Sequence, residues 1–291
     1  MERYKNIIDD WESFSEACKG HPVAAVRKNP VKASANFEEQ LREDFDDVER
    51  ADWNPDIYRL KSTTTPGKST LHWLGEYYVQ EESAAIPVEV LAPEKGDRVL
   101  DMAAAPGGKT TQIAGKLMNQ GKVIANDKTE QRLKSLHANV YRTGSVCVAA
   151  TSYDGRHIPE DERYDKILLD APCTGEGDRA YRSFESADPG ERGSLAKLQR
   201  QMIEKADRLL DKDGTLVYST CTFSPEENEE VVLHTIENTG LELERIELEA
   251  PHARGLTGFE DRDYGPELEK TIRVYPHHLD SGGMYVAKLS K

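Results

Sequence analysis

The chain has little of what would mark it as secreted, membrane-bound or metal-dependent. Its four cysteines, Cys18, Cys147, Cys173 and Cys221, lie far apart, with no CxxC pair and no Cys/His cluster. That spacing suggests neither a disulfide framework nor a zinc site, and it fits a reducing compartment. No apolar run approaches the length of a membrane span, and the opening MERYKNIIDDWESF has no apolar core behind basic residues. A soluble cytoplasmic protein is expected, as a monomer and without a metal. Basic residues are also scarce: 38 Lys and Arg face 53 Asp and Glu, for a formal net charge of −15. Taken alone, this balance speaks against a partner covered in phosphates. Yet the acids are spread along the whole chain and only 37% of residues are hydrophobic, the pattern of a surface solvated for high salt. The total charge then says little about any local basic patch. An ordinary acidic cytoplasmic enzyme fits the composition as well.

No internal repeat, low-complexity block or long linker is present. From about Asp97 onward, apolar runs alternate with helical stretches, which predicts βα units and a largely parallel sheet. The expected strands are Arg98–Ala104, Lys122–Asp127, Ser145–Thr151, Tyr164–Ala171, Gly214–Cys221, Leu241–Glu247 and Met284–Leu289. Helices fit between them. Glu130–Tyr141 sets Leu133, Leu136, His137 and Val140 on one stripe, and Ala196–Leu210 does so with Leu198, Met202 and Leu209. Before Leu71 the sequence is more polar, so residues 1–70 are assigned to a smaller module and 71–291 to the larger domain.

The segment Leu100–Ala114, LDMAAAPGGKTTQIA, runs from a strand through small residues into a helix. Ala103, Ala104, Ala105, Gly107 and Gly108 leave the backbone open to close approach, and the helix start offers free N–H groups. This suits a nucleotide-like cofactor. A P-loop would need glycine where Ala103 stands, and GxGxxG is absent, so neither an NTPase nor a dinucleotide enzyme is indicated. Asp127 ends the next strand, about twenty residues on, where a carboxylate can accept hydrogen bonds from ribose hydroxyls. Asp154, in YDG, could receive an adenine amino group, although an Asp-Gly turn explains it equally. A glycine-rich turn without ligand remains open for the loop itself.

Cys173 follows the fourth expected strand in LLDAPCTGEG, and Cys221 ends the fifth in VYSTCTFSPEENE. Open α/β sheets bind ligands at the carboxyl ends of their strands, so both cysteines are expected to face the crevice. A lone cysteine is more often a small buried hydrophobe, which is the reading for Cys18 and Cys147. Ser224, Pro225 and the following acids signal a helix start after Cys221, and a helix N-terminus favours thiolate.

These motifs, in order along nearly the whole chain, resemble the Sun/Fmu-type RNA 5-methylcytosine methyltransferases. The resemblance rests on Gly75–Pro87 (GEYYVQEESAAIP), Leu100–Thr110, the helix Glu130–Gly144, Asp170–Gly177 (DAPCTGEG), Tyr218–Glu229 (YSTCTFSPEENE) and the closing Arg273–Leu289. Thr174 is the one departure from the commonest form of its motif. The family's DNA-acting counterparts use the Pro-Cys cysteine alone, so two cysteine motifs together are specific.

The resemblance implies a Rossmann-like, seven-stranded class I methyltransferase sheet with a small N-terminal α+β RNA-recognition-like module. It implies S-adenosylmethionine as cofactor, held by Ala103, Ala104, Ala105, Pro106, Gly107, Gly108, Lys109, Asp127, Arg132, Asp154 and Asp170. Cys221 would be the nucleophile and Cys173 the helper in product release, with Asp170 on the base and Lys109 near both. Archaeal members acting on tRNA are the nearest match, rRNA the second. Arg27, Lys28, Lys32 and Arg59 would supply basic groups to RNA, with VRKNPVK similar to a family stretch, while Lys61 and Lys68 are read as solvated charges. A noncatalytic RNA-binding scaffold and a DNA or protein methyltransferase are the competing classes.

Overall fold

The computed structural model describes residues 1–61 and 65–291. A small antiparallel sheet takes β1 (Ala24–Lys28), β2 (Val48–Arg50), β3 (Ile57–Leu60) and β4 (Tyr77–Val79) in the order β2-β3-β1-β4. Its own core is Val26, Phe37, Leu41, Phe45, Tyr58, Leu60 and Tyr77.

The large sheet is built on β5 (Arg98–Asp101), β6 (Lys122–Asn126), β7 (Val148–Thr151), β8 (Tyr164–Asp170) and β9 (Leu210–Thr220). These run parallel in the order β7-β6-β5-β8-β9. Their central residues, among them Val99, Leu100, Ile167, Leu168, Leu216 and Val217, are fully buried, as apolar runs covered on both faces must be. Three further short strands follow: β10 (Glu242–Glu244), β11 (Ala253–Arg254) and the ribbon strand β12 (Gly258–Phe259), which pairs with β13 (Arg262–Asp263). Then β14 (Ile272–Val274) and β15 (Met284–Ser290) complete the sheet, with β15 antiparallel to β9. All seven expected strands are present in a nine-stranded sheet. The strand expected over 241–247 shrinks to β10 on the end of β15, and β11 and β14 are added.

Connectivity reverses at β5: the chain goes outward through β6 and β7, then returns to β8 on the other side. A crevice opens at such a switch point, outside the carboxyl ends of the strands. Helix 189–209 packs above it. It begins well before Ala196 because Asp188 caps it, accepting from the Gly190 and Glu191 N–H groups with Pro189 at the first position. Helix 130–143 buries Leu133 and Leu136, while His137 points outward and stands outside the apolar stripe.

The division drawn at residue 70 is crossed twice. Tyr77–Val79 pairs with β1, and residues 1–18 pack into the large core, where Tyr4 and Phe14 meet Phe223 and Tyr275. Asp9 bonds both His277 and His278. A few fully buried aromatics outweigh the polar composition of this segment. Beneath the Cys221 loop, Arg273 is buried and paired with the buried Glu229 carboxylate, and also donates to the Phe223 carbonyl at 3.0 Å. Among the described residues, no helix is long and apolar enough to cross a membrane.

Candidate active site

The loop from β5 to helix 108–116 turns at Gly107, whose φ of 108° is a left-handed conformation that disfavours side chains. A Cβ there would also stand 2.9 Å from Leu136 Cδ1. Ala103, Ala104, Ala105, Pro106, Gly108 and Lys109 line a cavity of about 230 Å³ with Tyr78, Gln80, Asp101 and Asp170. A neighbouring cavity of about 240 Å³ shares Ala103 and is lined by Asp127, Arg132, Asp154, Pro172, Leu198 and Met202. Together they form one trough along the strand ends.

Asp127 is buried and accepts from the Ala105 and Thr129 N–H groups at 3.3 and 3.0 Å, while Arg132 reaches it at 3.1 Å. Arg132 also donates to the Ala105 carbonyl, so this pair braces the loop. Asp154 caps a short 3-10 turn through the Arg156 N–H. Hydrogen bonds from the Arg156 side chain, then Lys128, hold its carboxyl well below the usual range. Asp154 thus caps the Asp-Gly turn and also lines the second cavity.

Asp101 was not singled out by sequence. It is fully buried at the end of β5, one oxygen accepting from Thr110 Oγ1 at 2.7 Å and the other, Oδ1, without a hydrogen-bond partner. Burial, opposed by Thr110 and reinforced by Asp170, pushes its carboxyl up to about 7. An orphaned buried oxygen on the wall of a cavity floored by alanines and glycine fits a cationic, nucleoside-bearing cofactor such as S-adenosylmethionine.

Lys109 Nζ donates to Asp170 Oδ2 at 2.8 Å, and Ser219 Oγ donates to Asp170 Oδ1 at 2.8 Å. Burial alone would lower the Lys109 ammonium; the Asp170 carboxylate outweighs it and raises it. Cys173 and Cys221 come from the ends of adjacent strands, β8 and β9, and their sulfurs are 3.4 Å apart. The hydrogen bond with Cys221, then burial, pushes the Cys173 thiol up. The helix after Cys221 starts only at Glu229, so its N-terminus is not beside the thiol as the Ser-Pro signal suggested.

A buried polar web fixes both cysteine loops. Thr174 Oγ1 and Thr222 Oγ1 lie 2.8 Å apart, each the residue after a cysteine. Glu227 accepts from the Thr174 N–H and hydroxyl and from Gln199, while Glu176 accepts from Thr222, Tyr4 and the Ala187 N–H. Sequence reading took the acids of SPEENE for a helix start. Nothing local distinguishes a buried, fully bonded glutamate from an exposed one.

Two of the basic residues expected to meet RNA do other work. Arg27 is buried, donating to Gln80, the Gly108 carbonyl and Thr111, and so props the cofactor loop from below. Arg59 is paired with the buried Glu82. Lys32 is exposed, but its ammonium bonds the Leu74 and Arg142 carbonyls.

Comparison with known proteins agrees with this geometry. Residues 88–290 match the model of the 16S rRNA methyltransferase RsmB/F family, and residues 1–82 that of the N-terminal domain of 16S rRNA methyltransferase RsmF. The chain is 35% identical to a tRNA (cytosine(49)-C(5))-methyltransferase of Pyrococcus abyssi, over 100% of this chain and 95% of that one. It is also 35% identical to the ribosomal RNA small subunit methyltransferase F of Aliivibrio fischeri, covering 96% of this chain but 60% of that longer protein. Among solved structures, a methyltransferase homolog from Pyrococcus horikoshii superposes with a TM-score of 0.86 at 31% identity, covering 100% of this chain and 93% of that one. NSun6 from the same organism, solved with the S-adenosylmethionine analogue SFG, gives 0.85 at 26% identity, covering 100% and 97%. The chain belongs to the RsmB/F family of S-adenosylmethionine-dependent methyltransferases.

Proposed function

We propose that this enzyme methylates carbon 5 of a cytosine in RNA, tRNA before rRNA, through a covalent bond between Cys221 and the base. The observation that carries the reading is the pair of thiols 3.4 Å apart at the ends of adjacent strands β8 and β9, with the Cys221 sulfur near the Lys109 ammonium that pairs with Asp170. A scaffold without activity has no need of both thiols, and a protein methyltransferase needs neither. The near-complete match to the Pyrococcus abyssi tRNA enzyme, against partial coverage of the longer rRNA enzymes, favours tRNA.

Carbon 5 of cytosine is a weak nucleophile. Thiolate addition at carbon 6 makes it an enamine that can take an electrophilic methyl group, which S-adenosylmethionine supplies when bound. Ala103–Lys109, Asp127, Arg132 and Asp154 are assigned to holding that cofactor. Two thiols in contact resist losing both protons, and Cys173, pushed up by its hydrogen bond with Cys221 and by burial, is assigned as the one that stays protonated while Cys221 attacks. Both Asp170 oxygens already accept hydrogen bonds, which leaves the carboxylate an acceptor for the cytosine amino group, with Lys109 beside it to offset charge developing on the ring. Once the Cys221 sulfur is bonded to carbon 6, the negative charge that held the Cys173 proton is gone. Cys173 can then give its proton to solvent and, as thiolate, take the carbon 5 proton; the electrons of the C–H bond re-form the 5,6 double bond and Cys221 leaves as thiolate. The base must be out of its stack to enter, so the target is single-stranded or opened by the enzyme.

The test is transfer of labelled methyl from S-adenosylmethionine to unmodified tRNA and small-subunit rRNA transcripts, with bisulfite sequencing of the products. Protected cytosines at a defined tRNA position are expected; label on protein or DNA and none on RNA would end the reading.

A further inference from the structure

Acidic residues number 53 among 291, yet residues 65–75 and 131–153 contain none. The fold sets these two stretches side by side. Helix 70–74 lies against helix 130–143, the Arg142 guanidinium donating to the His72 carbonyl at 2.8 Å, and Lys32 bonding the Leu74 and Arg142 carbonyls together. Lys32 and Arg142 therefore spend donors on backbone carbonyls, Arg142 also reaching Asn139 Oδ1, and among the described residues no carboxylate pairs with either.

The same ground carries most of the large apolar side chains that the protein leaves in water. Trp73 is 74% exposed, Leu74 54%, Tyr141 88% and Val146 82%. Among the described residues, neither Trp73 nor Tyr141 stacks on another ring. The ground is continuous with the catalytic trough. Arg142 also donates to the Tyr77 carbonyl and stands over the Tyr78 ring, and Asn139 donates to Tyr78 Oη and to the Pro106 carbonyl. Tyr78 and Pro106 are themselves walls of the first cavity.

In a chain with 53 acidic residues, these two adjoining acid-free stretches expose flat rings beside cations. Base stacking on aromatic side chains is tolerant of sequence and, unlike phosphate attraction, survives salt. Resting on the RNA reading above, we infer that the face formed by Trp73, Leu74, Tyr141 and the exposed Lys134, two helical turns before Tyr141 on helix 130–143, docks the single-stranded RNA flanking the target cytosine, with bases stacked on Trp73 and Tyr141.

The experiment uses the full chain and a short fluorescein-labelled oligoribonucleotide of mixed C and U, read by anisotropy. Trp73→Ala with Tyr141→Ala should weaken binding about tenfold or more, the loss expected of at least one stack. Lys134→Glu, which returns an acid to the face, should also weaken it. Trp73→Phe should keep most of the affinity, and cofactor affinity should be unchanged in every variant. Unchanged oligonucleotide affinity in a double variant that still methylates RNA would overturn the docking face and leave the proposed activity standing. A dimer of the unaltered chain that the double variant dissociates would assign the face to a second copy instead, which also overturns it.

Discussion

The Lys109 ammonium lies 2.8 Å from one oxygen of Asp170, and that contact is completed by the Ser219 hydroxyl on the other oxygen. Asp170 is thus aimed by two donors from different elements, Lys109 at the start of helix 108–116 and Ser219 near the end of β9. Asp170→Asn is expected to lower kcat by about 100-fold or more, as loss of one preorganised charge contact does. Ser219→Ala should cost about tenfold through loosened aim, with cofactor affinity unchanged. A Ser219→Ala enzyme of full kcat would show that Lys109 alone suffices.

Asp127 bonds the Ala105 and Thr129 N–H groups and pairs with Arg132. Asp127→Ala should weaken S-adenosylmethionine binding by about 1–3 kcal/mol in calorimetry. Unchanged affinity in the folded variant would remove the ribose assignment.

Asp101 holds a proton in the fold up to about pH 7, whereas an unfolded aspartate gives it up near pH 4. The folded state binds the extra proton between these values, so stability falls as pH rises through this window. Asp101→Asn should flatten that dependence in denaturant titrations. A cationic cofactor beside the carboxylate should also release the proton on binding near pH 6, seen as a buffer-dependent heat that Asp101→Asn abolishes. A buffer-independent heat in the unaltered enzyme would contradict the placement.

How far the sequence is legible depends on how local each feature is. The strands β5, β8 and β9 are contiguous apolar runs, and the strand-to-helix turn at 102–107 and the placing of both cysteines at strand ends read directly because their residues are neighbours in the chain. Asp101, Ser219, Glu176 and Glu227 acquire their meaning only when distant strands meet. Arg27 was misplaced for the same reason: a cation in a polar stretch looks solvated until β4 and the cofactor loop close over it. Residues 1–18 belong to the large core through Tyr4 and Phe14, two aromatics that composition averages away.

The acid excess leads to a prediction about solvent. If the surface is solvated for concentrated salt, and RNA is held by shape and stacking, methyl transfer should persist in molar potassium chloride. An enzyme most active in dilute buffer that lost activity steeply by about 0.5 M would contradict it, since that is where screening removes long-range attraction.

The most direct measurement of the central claim separates the two thiols 3.4 Å apart. Cys221→Ala and Cys173→Ala are each incubated with RNA and S-adenosylmethionine, then run on a denaturing gel. Cys221→Ala cannot bond carbon 6 and should give neither methylated RNA nor a shifted band. Cys173→Ala can still attack and receive the methyl group on the base, but elimination is slowed, so a covalent protein–RNA adduct should accumulate. An adduct or full turnover from Cys221→Ala, or a Cys173→Ala enzyme that only loses stability and traps no RNA, would contradict the account.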